Sequence, residues 1–314
     1  MAHPHRVAAR LTEAGATASR PAVVRHADWS VSAARRWVAE VCRGGDGWVL
    51  DAPRVVGDPA TVLVAPGPLL VGLDVTIGLP RHYAARAGVD CFPAWLASLD
   101  EDRWRRFASV ADVASEVSSA RPFFPARPGG ARQQDLVVAH GAVTIDDLRR
   151  ACERRPPLAR AACPLFWTLG ANQVGRASLH AWETVLRPAL REGRVALWPY
   201  AGALDRLVAT RDVVVAEAYP AWMTSLLGLG PVAKRHARAR AGAAAALITA
   251  AARLGVHLTQ AAYDAVGEGC ATEHAFDTVV GVLGLVHVLQ EGPYVPAASC
   301  RDATTVEGWI AGVA

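Results

Sequence analysis

The chain has 314 residues, of which 52% are apolar and 20% charged, so it can build a sizeable core and is not globally disordered. Its 33 Lys and Arg residues against 29 Asp and Glu give a formal net charge of +4, which is compatible with a polyanionic partner. The length predicts either two domains or one domain with a large insertion.

The six cysteines form no Cys-x-x-Cys pair, and the polar N-terminus lacks the apolar core of a signal peptide. The longest apolar runs, 241–252 and 276–286, are shorter than the ~20 residues that cross a bilayer. These features predict a cytoplasmic protein with reduced thiols and no membrane contact.

The start of the chain predicts an antiparallel meander. A polar segment, predicted to be a loose tail, covers residues 1–22, and a β-prone run then ends in Asp28. Alternating residues 36–41, a glycine-rich turn at 44–47 and the strand 48–50 follow.

The next segments predict a short helix and a central strand. Asp58 and Pro59 are typical of a helix start, with Asp as the cap. The apolar run 69–75, which contains Asp74, is typical of a strand covered on both faces and stops at Gly78-Leu79-Pro80.

Residues 81–210 have a different character, being aromatic, Arg-rich and helical in pattern. We interpret them as a helical insertion that divides an α/β core into residues 23–80 and 211–314. The helices predicted within the insertion are 92–99, 103–117, 145–155 and 177–190.

The strand pattern returns at residues 212–220, which contain Glu217. An Ala-rich helix is predicted over 233–254, ending at Gly255. A second, mostly apolar helix is predicted over 272–290, with His274 and Asp277 in its first turns.

Four carboxylates are predicted to converge. Asp28, Asp74 and Glu217 lie near the C-terminal ends of predicted strands, where open α/β sheets bind ligands. Asp277 lies on the late helix, and His274 precedes it by three residues, which places both side chains on the same face of the helix. Clustered carboxylates repel one another, and Mg²⁺ or Mn²⁺ relieves this, since hard cations prefer oxygen ligands. One or two such ions would activate water to hydrolyse a phosphodiester bond.

Each residue also has a structural interpretation. Asp28 could be a turn residue, Asp74 a turn or cap residue, and Asp277 ordinary helix-start charge. Glu217 could form a salt bridge to an arginine of the insertion, and His274 could be a surface or capping histidine.

The order of these segments resembles the predicted RNase H-like nucleases known as domain of unknown function 429, over about residues 23–311. The resemblance rests on the following segments: the strand ending in Asp28, Val71-Gly72-Leu73-Asp74, Arg121-Pro122-Phe123-Phe124-Pro125, residues 165–175, Glu217-Ala218-Tyr219-Pro220, Ala275-Phe276-Asp277 and Glu307-Gly308-Trp309-Ile310.

This resemblance implies a ribonuclease H-like fold, shared with RuvC-like junction resolvases and transposases. In those enzymes, acids on the first strand, the fourth strand and a late helix hold two Mg²⁺ or Mn²⁺ ions. The resemblance assigns these roles to Asp28, Asp74 and Asp277. His274 and Asp277 look like the His-x-x-Asp pair of some resolvases, and Glu217 matches the family's Glu-x-Tyr-Pro motif.

Basic and aromatic side chains of the insertion and of the 233–254 helix are candidates for contacts with nucleic acid. Arginine binds phosphate through two parallel hydrogen bonds, although a charge run on a helix is usually a solvated face. The basic candidates are Arg121, Arg127, Arg132, Arg176, Lys234, Arg235 and Arg238. The aromatic residues Phe123, Phe124, Trp167 and Trp182 could stack on bases but are more often core residues, and Asn172 and Gln173 could read base edges.

The function predicted from the sequence is a metal-dependent nuclease that acts on nucleic acid, DNA in preference to RNA, including branched, damaged or modified DNA. Asp28, Asp74, Glu217 and Asp277 are the predicted metal ligands, and His274 orients or protonates a reacting group. Two alternatives remain: an inactive nucleic-acid-binding module of the same fold, and an actin-like phosphotransferase. The second needs a glycine-rich phosphate loop, and Asp28-Trp29-Ser30-Val31 contains no glycine.

Overall fold

The computed structural model describes residues 21–154, 162–169, 174–291 and 301–313. The strands are β1 (Val23–Asp28), β2 (Trp37–Gly44), β3 (Gly47–Leu50), β4 (Arg54–Val55), β5 (Leu69–Leu73), β6 (Ala196–Leu197), β7 (Val213–Glu217) and β8 (Val256–Leu258). The α-helices are α1 (Arg81–Ala87), α2 (Phe92–Ala97), α3 (Gln133–Ala139), α4 (Ala151–Arg154), α5 (Gly175–Ala181), α6 (Arg187–Arg191), α7 (Leu204–Thr210), α8 (Pro220–Leu226), α9 (Ala237–Gly242), α10 (Ala244–Arg253), α11 (Gln260–Gly267) and α12 (Glu273–Glu291).

The strands form a mixed eight-stranded sheet in the order β6-β7-β5-β1-β2-β3-β8, with β4 paired to β2. β1 runs antiparallel to β2 and parallel to β5, and β5, β7 and β6 are parallel to one another. The predicted α/β class, with a mixed sheet flanked by helices, is confirmed.

Each face of the sheet buries its own apolar core. Alternate residues of a strand point to opposite faces. Val23 and Ala27 therefore lie in the first core, and Val24 lies in the second core, which contains α12. The first core contains most of the aromatic side chains of residues 81–210. The second core is mostly aliphatic and includes α8, α10 and α12. Within the described ranges, no helix is both long and apolar enough to span a bilayer.

Several predicted elements are confirmed. The meander is β1-β2-β3, with its turn at Gly44–Gly47, and Asp58 caps a 3₁₀ helix at Pro59–Leu63 through the backbone N–H of Ala60. The predicted 177–190 helix exists as a continuous run from α5 through a π-helical turn (Trp182–Leu186) to α6, and α12 closely matches the predicted 272–290 helix.

Other predictions were wrong. Residues 103–117 form only two 3₁₀ turns, because the backbone of Ala111 is bonded to Phe123 and Ala126 instead of to a helical turn. The predicted 145–155 helix is a 3₁₀ turn at Ile145–Leu148 followed by α4. The predicted 233–254 helix begins only at Ala237 and is divided into α9 and α10. β6 lies inside the segment interpreted as an insertion yet pairs with β7, so that segment contributes an edge strand of the sheet.

Candidate active site

Three aspartates meet at one edge of the sheet. β1 ends at Asp28, and Asp74 directly follows β5, the parallel neighbour of β1. The backbone N–H of Asp74 donates to the Ala27 carbonyl at 3.0 Å, which keeps the two strand ends together. Asp277 comes from the second turn of α12, which packs across β1 and β2. Asp28 and Asp277 are each only 6% exposed.

A glycine brings α12 close enough to contribute Asp277. Gly281, one helical turn after Asp277, lies on the His26 ring, and a Cβ there would be 2.2 Å from the His26 Cγ. His26 is fully buried and lies two residues before Asp28, so both side chains point to the α12 face. The contact between Gly281 and His26 thus sets the spacing between the helix and the strand that carry two of the aspartates.

His26 itself is a neutral core residue. Burial lowers its pKa to about 4, and its Nε2 bonds to the Ala218 carbonyl at 3.1 Å. With the ring neutral, Nε2 is the donor in that bond.

Two cationic side chains contact the aspartates. His274 Nδ1 lies 2.7 Å from the Asp28 carboxylate, and the Lys234 ammonium donates to the Asp277 carboxylate. The Asp74 carboxylate accepts no hydrogen bond from any residue that the structure describes. Three carboxyl groups thus meet two basic side chains, Lys234 and His274, so acids outnumber bases in the cluster.

Burial and mutual repulsion shift the proton affinities of this cluster. Burial raises the pKa of Asp74 well above its usual value, and the neighbouring charges of Asp28 and Asp277 raise it further. Burial also raises the pKa of Asp277 to about 6, against the opposing effect of Lys234. The hydrogen bond to Asp28 raises the pKa of His274. Burial lowers the pKa of Lys234, but Asp277, Asp74 and Asp28 together outweigh this effect, so the pKa is raised.

Glu217, a predicted metal ligand, is held elsewhere. Its two carboxylate oxygens lie 2.5 and 2.7 Å from the Arg150 guanidinium, and the backbone N–H of Ile77 donates to it at 2.7 Å. Arg150 is fully buried and also bonds to Glu153 at 2.9 Å. The alternative interpretation, a salt bridge to an arginine of the 81–210 segment, therefore describes Glu217, and we remove it from the ligand set.

The predicted phosphate contacts fall into three groups. Arg121 is buried, and its guanidinium bonds to Glu116 and to the carbonyls of Ser109 and Val110, so it braces a loop and is withdrawn from the predicted contacts. Lys234 is engaged with Asp277. The remaining five are exposed: Arg127, Arg132, Arg176, Arg235 and Arg238.

The four predicted aromatic residues are core residues. Phe123, Phe124, Trp167 and Trp182 are at most 8% exposed, so none of them presents a face for stacking on a base. Asn172 and Gln173 lie outside the described residues.

Sequence reasoning missed the roles of Arg150 and Lys234. The available signal for Lys234 was composition, because it is the one lysine in a chain whose other basic residues are arginines. A compact ammonium group fits between close carboxylates better than a planar guanidinium. No comparable signal marked Arg150, whose partner Glu217 is 67 residues away.

The donor chemistry of the cluster fits a hard divalent cation. Carboxylate oxygens are the ligands that Mg²⁺ and Mn²⁺ prefer, and a cation would offset the burial and the carboxylate repulsion that raise the pKa of Asp74. Among the described residues, however, no three His, Cys, Asp or Glu side chains are arranged ready to hold a metal ion. Lys234 and His274 contact two of the three aspartates, so an ion would compete with Lys234 for Asp277.

Two cavities differ in their relation to this cluster. The larger, of about 790 Å³, lies at the start of β6 and β7, the end of these strands away from the aspartates. The smaller, of about 470 Å³, is lined in part by Lys234 and Asp277 and therefore adjoins the cluster.

The chain matches no protein-family model, no curated protein and no solved structure. The resemblance to the domain of unknown function 429 family stays a prediction.

Proposed function

We propose that the protein is a metal-dependent nuclease with a ribonuclease H-like fold, which hydrolyses phosphodiester bonds in nucleic acid. The observation that carries this proposal is the convergence of three aspartates, Asp28 and Asp277 buried and Asp74 half-buried, close enough that, beyond the effect of burial, Asp28 and Asp277 raise the pKa of Asp74. Asp28 ends β1, and Asp277 lies on the late helix α12. Asp74 follows β5, which is the fourth strand of the chain when the two-residue strand β4 is not counted. This is the arrangement of acids that the family resemblance implies.

In this proposal, Asp28, Asp74 and Asp277 hold Mg²⁺ or Mn²⁺. Such an ion, when bound, supplies an activated water and stabilises the leaving oxygen. The chain's own side chains do the rest. Asp28 orients the His274 ring through Nδ1, which leaves Nε2 to exchange a proton with the attacking or leaving oxygen. Lys234 offsets charge beside Asp277 and offers a cation to the substrate phosphate.

The exposed arginines support a polyanionic substrate. Arg235 directly follows Lys234, and Arg238 lies in the first turn of α9; both are exposed and add positive charge to this part of the chain. We propose DNA rather than RNA as the substrate, with branched, damaged or modified duplexes included.

The test is cleavage of supercoiled plasmid by the full chain in Mg²⁺ or Mn²⁺, with and without EDTA. We expect nicking that EDTA abolishes and that Asp74→Asn lowers by at least about 100-fold, the scale of losing a group that stabilises transition-state charge. Asp205→Asn, at an exposed position on α7, is the matched control and should cut like the wild type. Undiminished cutting by Asp74→Asn would remove that residue from the site.

One observation favours a second candidate, a nucleic-acid-binding module without catalysis. Lys234 and His274 already contact two of the aspartates, and the described residues hold no ready ligand group. Retained binding of DNA or RNA, with no cutting of any form in either metal, would establish this second function.

A further inference from the structure

The cavity of about 470 Å³ beside the aspartates has the walls of a ligand site. It lies between α8, the loop of residues 228–232 and the start of α12. Its volume falls in the range of pockets that enclose one small ligand, roughly 300–1,000 Å³. Lys234 and Asp277 form part of its wall and also belong to the aspartate cluster, so the two sites are continuous.

The lining is mainly apolar, with a few polar groups. Ala221, Pro231, Val232 and Phe276 contribute apolar surface, and Thr224 and Ser225 contribute hydroxyls. The Thr224 hydroxyl donates to the Pro220 carbonyl at 2.9 Å, which leaves its oxygen lone pairs to accept from a ligand.

The mouth of the cavity is open on the side of the loop. Gly228 and Gly230 line the cavity and are both exposed. The loop therefore borders both the solvent and the cavity, whose other wall includes Lys234 and Asp277.

A base of a nucleic-acid strand matches these features. It is a flat, largely apolar ring with a few hydrogen-bonding edge groups, and it is attached to a phosphate that needs a cation. We propose that the cavity binds one unstacked base and thereby places the adjacent phosphodiester at the aspartate cluster. The exposed Arg235 and Arg238, one and four residues after Lys234, are the candidates to bind flanking phosphates. This inference rests on the proposed function, because it assigns the cavity to the same substrate.

Enzymes that act on an extruded nucleotide favour bases that are already unpaired or mispaired, since unstacking them costs less. Base binding here would therefore give the nuclease a preference for distorted or single-stranded regions. The preference would come from the cavity and not from the buried aromatic residues of the 81–210 segment.

The test compares ligands with and without a base. The four deoxynucleoside 5′-monophosphates and 2-deoxyribose 5-phosphate are titrated into the full chain by isothermal calorimetry in Mg²⁺. We expect at least one nucleotide to bind about tenfold or more tightly than the sugar phosphate, the scale of one base–protein contact.

Two substitutions locate the binding. Ala221→Trp, from an exposed position on α8, fills the cavity, and Ser225→Leu narrows it from the same helix. Both should reduce the preference for the nucleotide to less than twofold. Ala246→Trp, at an exposed position on α10, is the matched control and should keep the full preference. Thermal melting of each variant checks that it is folded.

The outcomes separate this inference from the proposed function. Equal binding of nucleotide and sugar phosphate by the wild type overturns the base pocket, and so does a preference for the nucleotide that survives both substitutions. An apolar partner side chain would then be the better occupant. Asp74→Asn, outside the cavity, should lose plasmid cutting and keep the preference for the base. A wild-type chain that prefers the base but never cuts DNA or RNA would refute the nuclease and retain the base pocket.

Discussion

Two groups of buried acids lie in this molecule, and they are neutralised in different ways. Around Arg150, the carboxylates of Glu153 and Glu217 are bonded to a fully buried guanidinium. At the other group, Asp28, Asp74 and Asp277 share one ammonium and one imidazole, and Asp74 accepts no hydrogen bond from the described residues.

This difference separates a structural site from a functional one. The Arg150 cluster joins the 81–210 segment to β7, and Arg150 also donates to the Glu307 carbonyl at 3.0 Å, so it fastens three parts of the chain. The aspartate cluster also joins distant segments, through Asp28–His274 and Lys234–Asp277, but it leaves Asp74 without a hydrogen-bond partner among the described residues and its carboxyl group disfavoured in the charged form. Strain of this kind is typical of sites that bind a ligand.

Removal of Arg150 should have the largest effect on stability. Arg150→Met leaves Glu153 and Glu217 buried without a cation, which typically costs 3–5 kcal/mol for a broken buried pair. Chemical denaturation measures the loss in the free energy of unfolding. Arg176→Met, at an exposed arginine with one hydrogen bond to a backbone carbonyl, should change it by less than about 0.5 kcal/mol. Equal effects of the two substitutions would erase the contrast between the clusters.

The aspartate cluster should make stability fall as the pH rises. The pKa of Asp277 is raised to about 6, above its value in the unfolded chain, so the native state holds a proton that the unfolded state has released. Its contribution is therefore complete below about pH 4 and is lost as the pH rises to about 6, by on the order of 1–3 kcal/mol.

Denaturation of Asp277→Asn across this pH range checks the sign. We expect the variant to lack part of the decline between pH 4 and 6 that the wild type shows. His274 acts in the same direction at higher pH, since its raised pKa adds stability that is lost as the ring deprotonates. A wild type that gains stability between pH 4 and 6 relative to the variant would contradict the assignment.

Gly281 should be the next most sensitive position. In Gly281→Ala, the new Cβ would lie 2.2 Å from the buried His26 ring, so α12 or the ring must move. Overpacking of this kind costs about 1–3 kcal/mol. Gly242→Ala, where a Cβ meets no atom within 4 Å, is the control and should be neutral or slightly stabilising. The melting temperatures of the two variants decide between these expectations.

The elements that carry the aspartates could be predicted from the sequence because each has a strong local pattern. The apolar run of β5 precedes Asp74, and the apolar run of β7 ends with Glu217. The long apolar helix α12 contains Asp277. The convergence of Asp28 and Asp74 then follows from the general rule for strand ends, and Asp277 joins them because α12 packs across β1.

The rest depended on long-range contacts. Glu217 pairs with Leu73 in the register of β5 and β7, so it points to the face opposite that of Asp74, where Arg150 binds it. β8 is three residues long and exists because it pairs with β3, far away in the chain. Such partners become visible only when the chain is folded.

Substitution of Asp74 should change the free energy of unfolding least. It is the most informative test, because loss of a carboxylate should have opposite effects on stability in the two clusters. Asp74→Asn removes a carboxylate that burial and the charges of Asp28 and Asp277 destabilise. We expect the free energy of unfolding to stay equal or to rise by about 1 kcal/mol, because the amide carries no charge for burial and the neighbouring carboxylates to oppose. Glu217→Gln should instead lower it, because the buried Arg150 loses a charged partner. Urea denaturation of both variants beside Asp205→Asn measures the difference. A loss of stability in Asp74→Asn as large as that in Glu217→Gln would mean that Asp74, too, is a structural residue, since a carboxylate that contributes to folding is not one kept for a ligand.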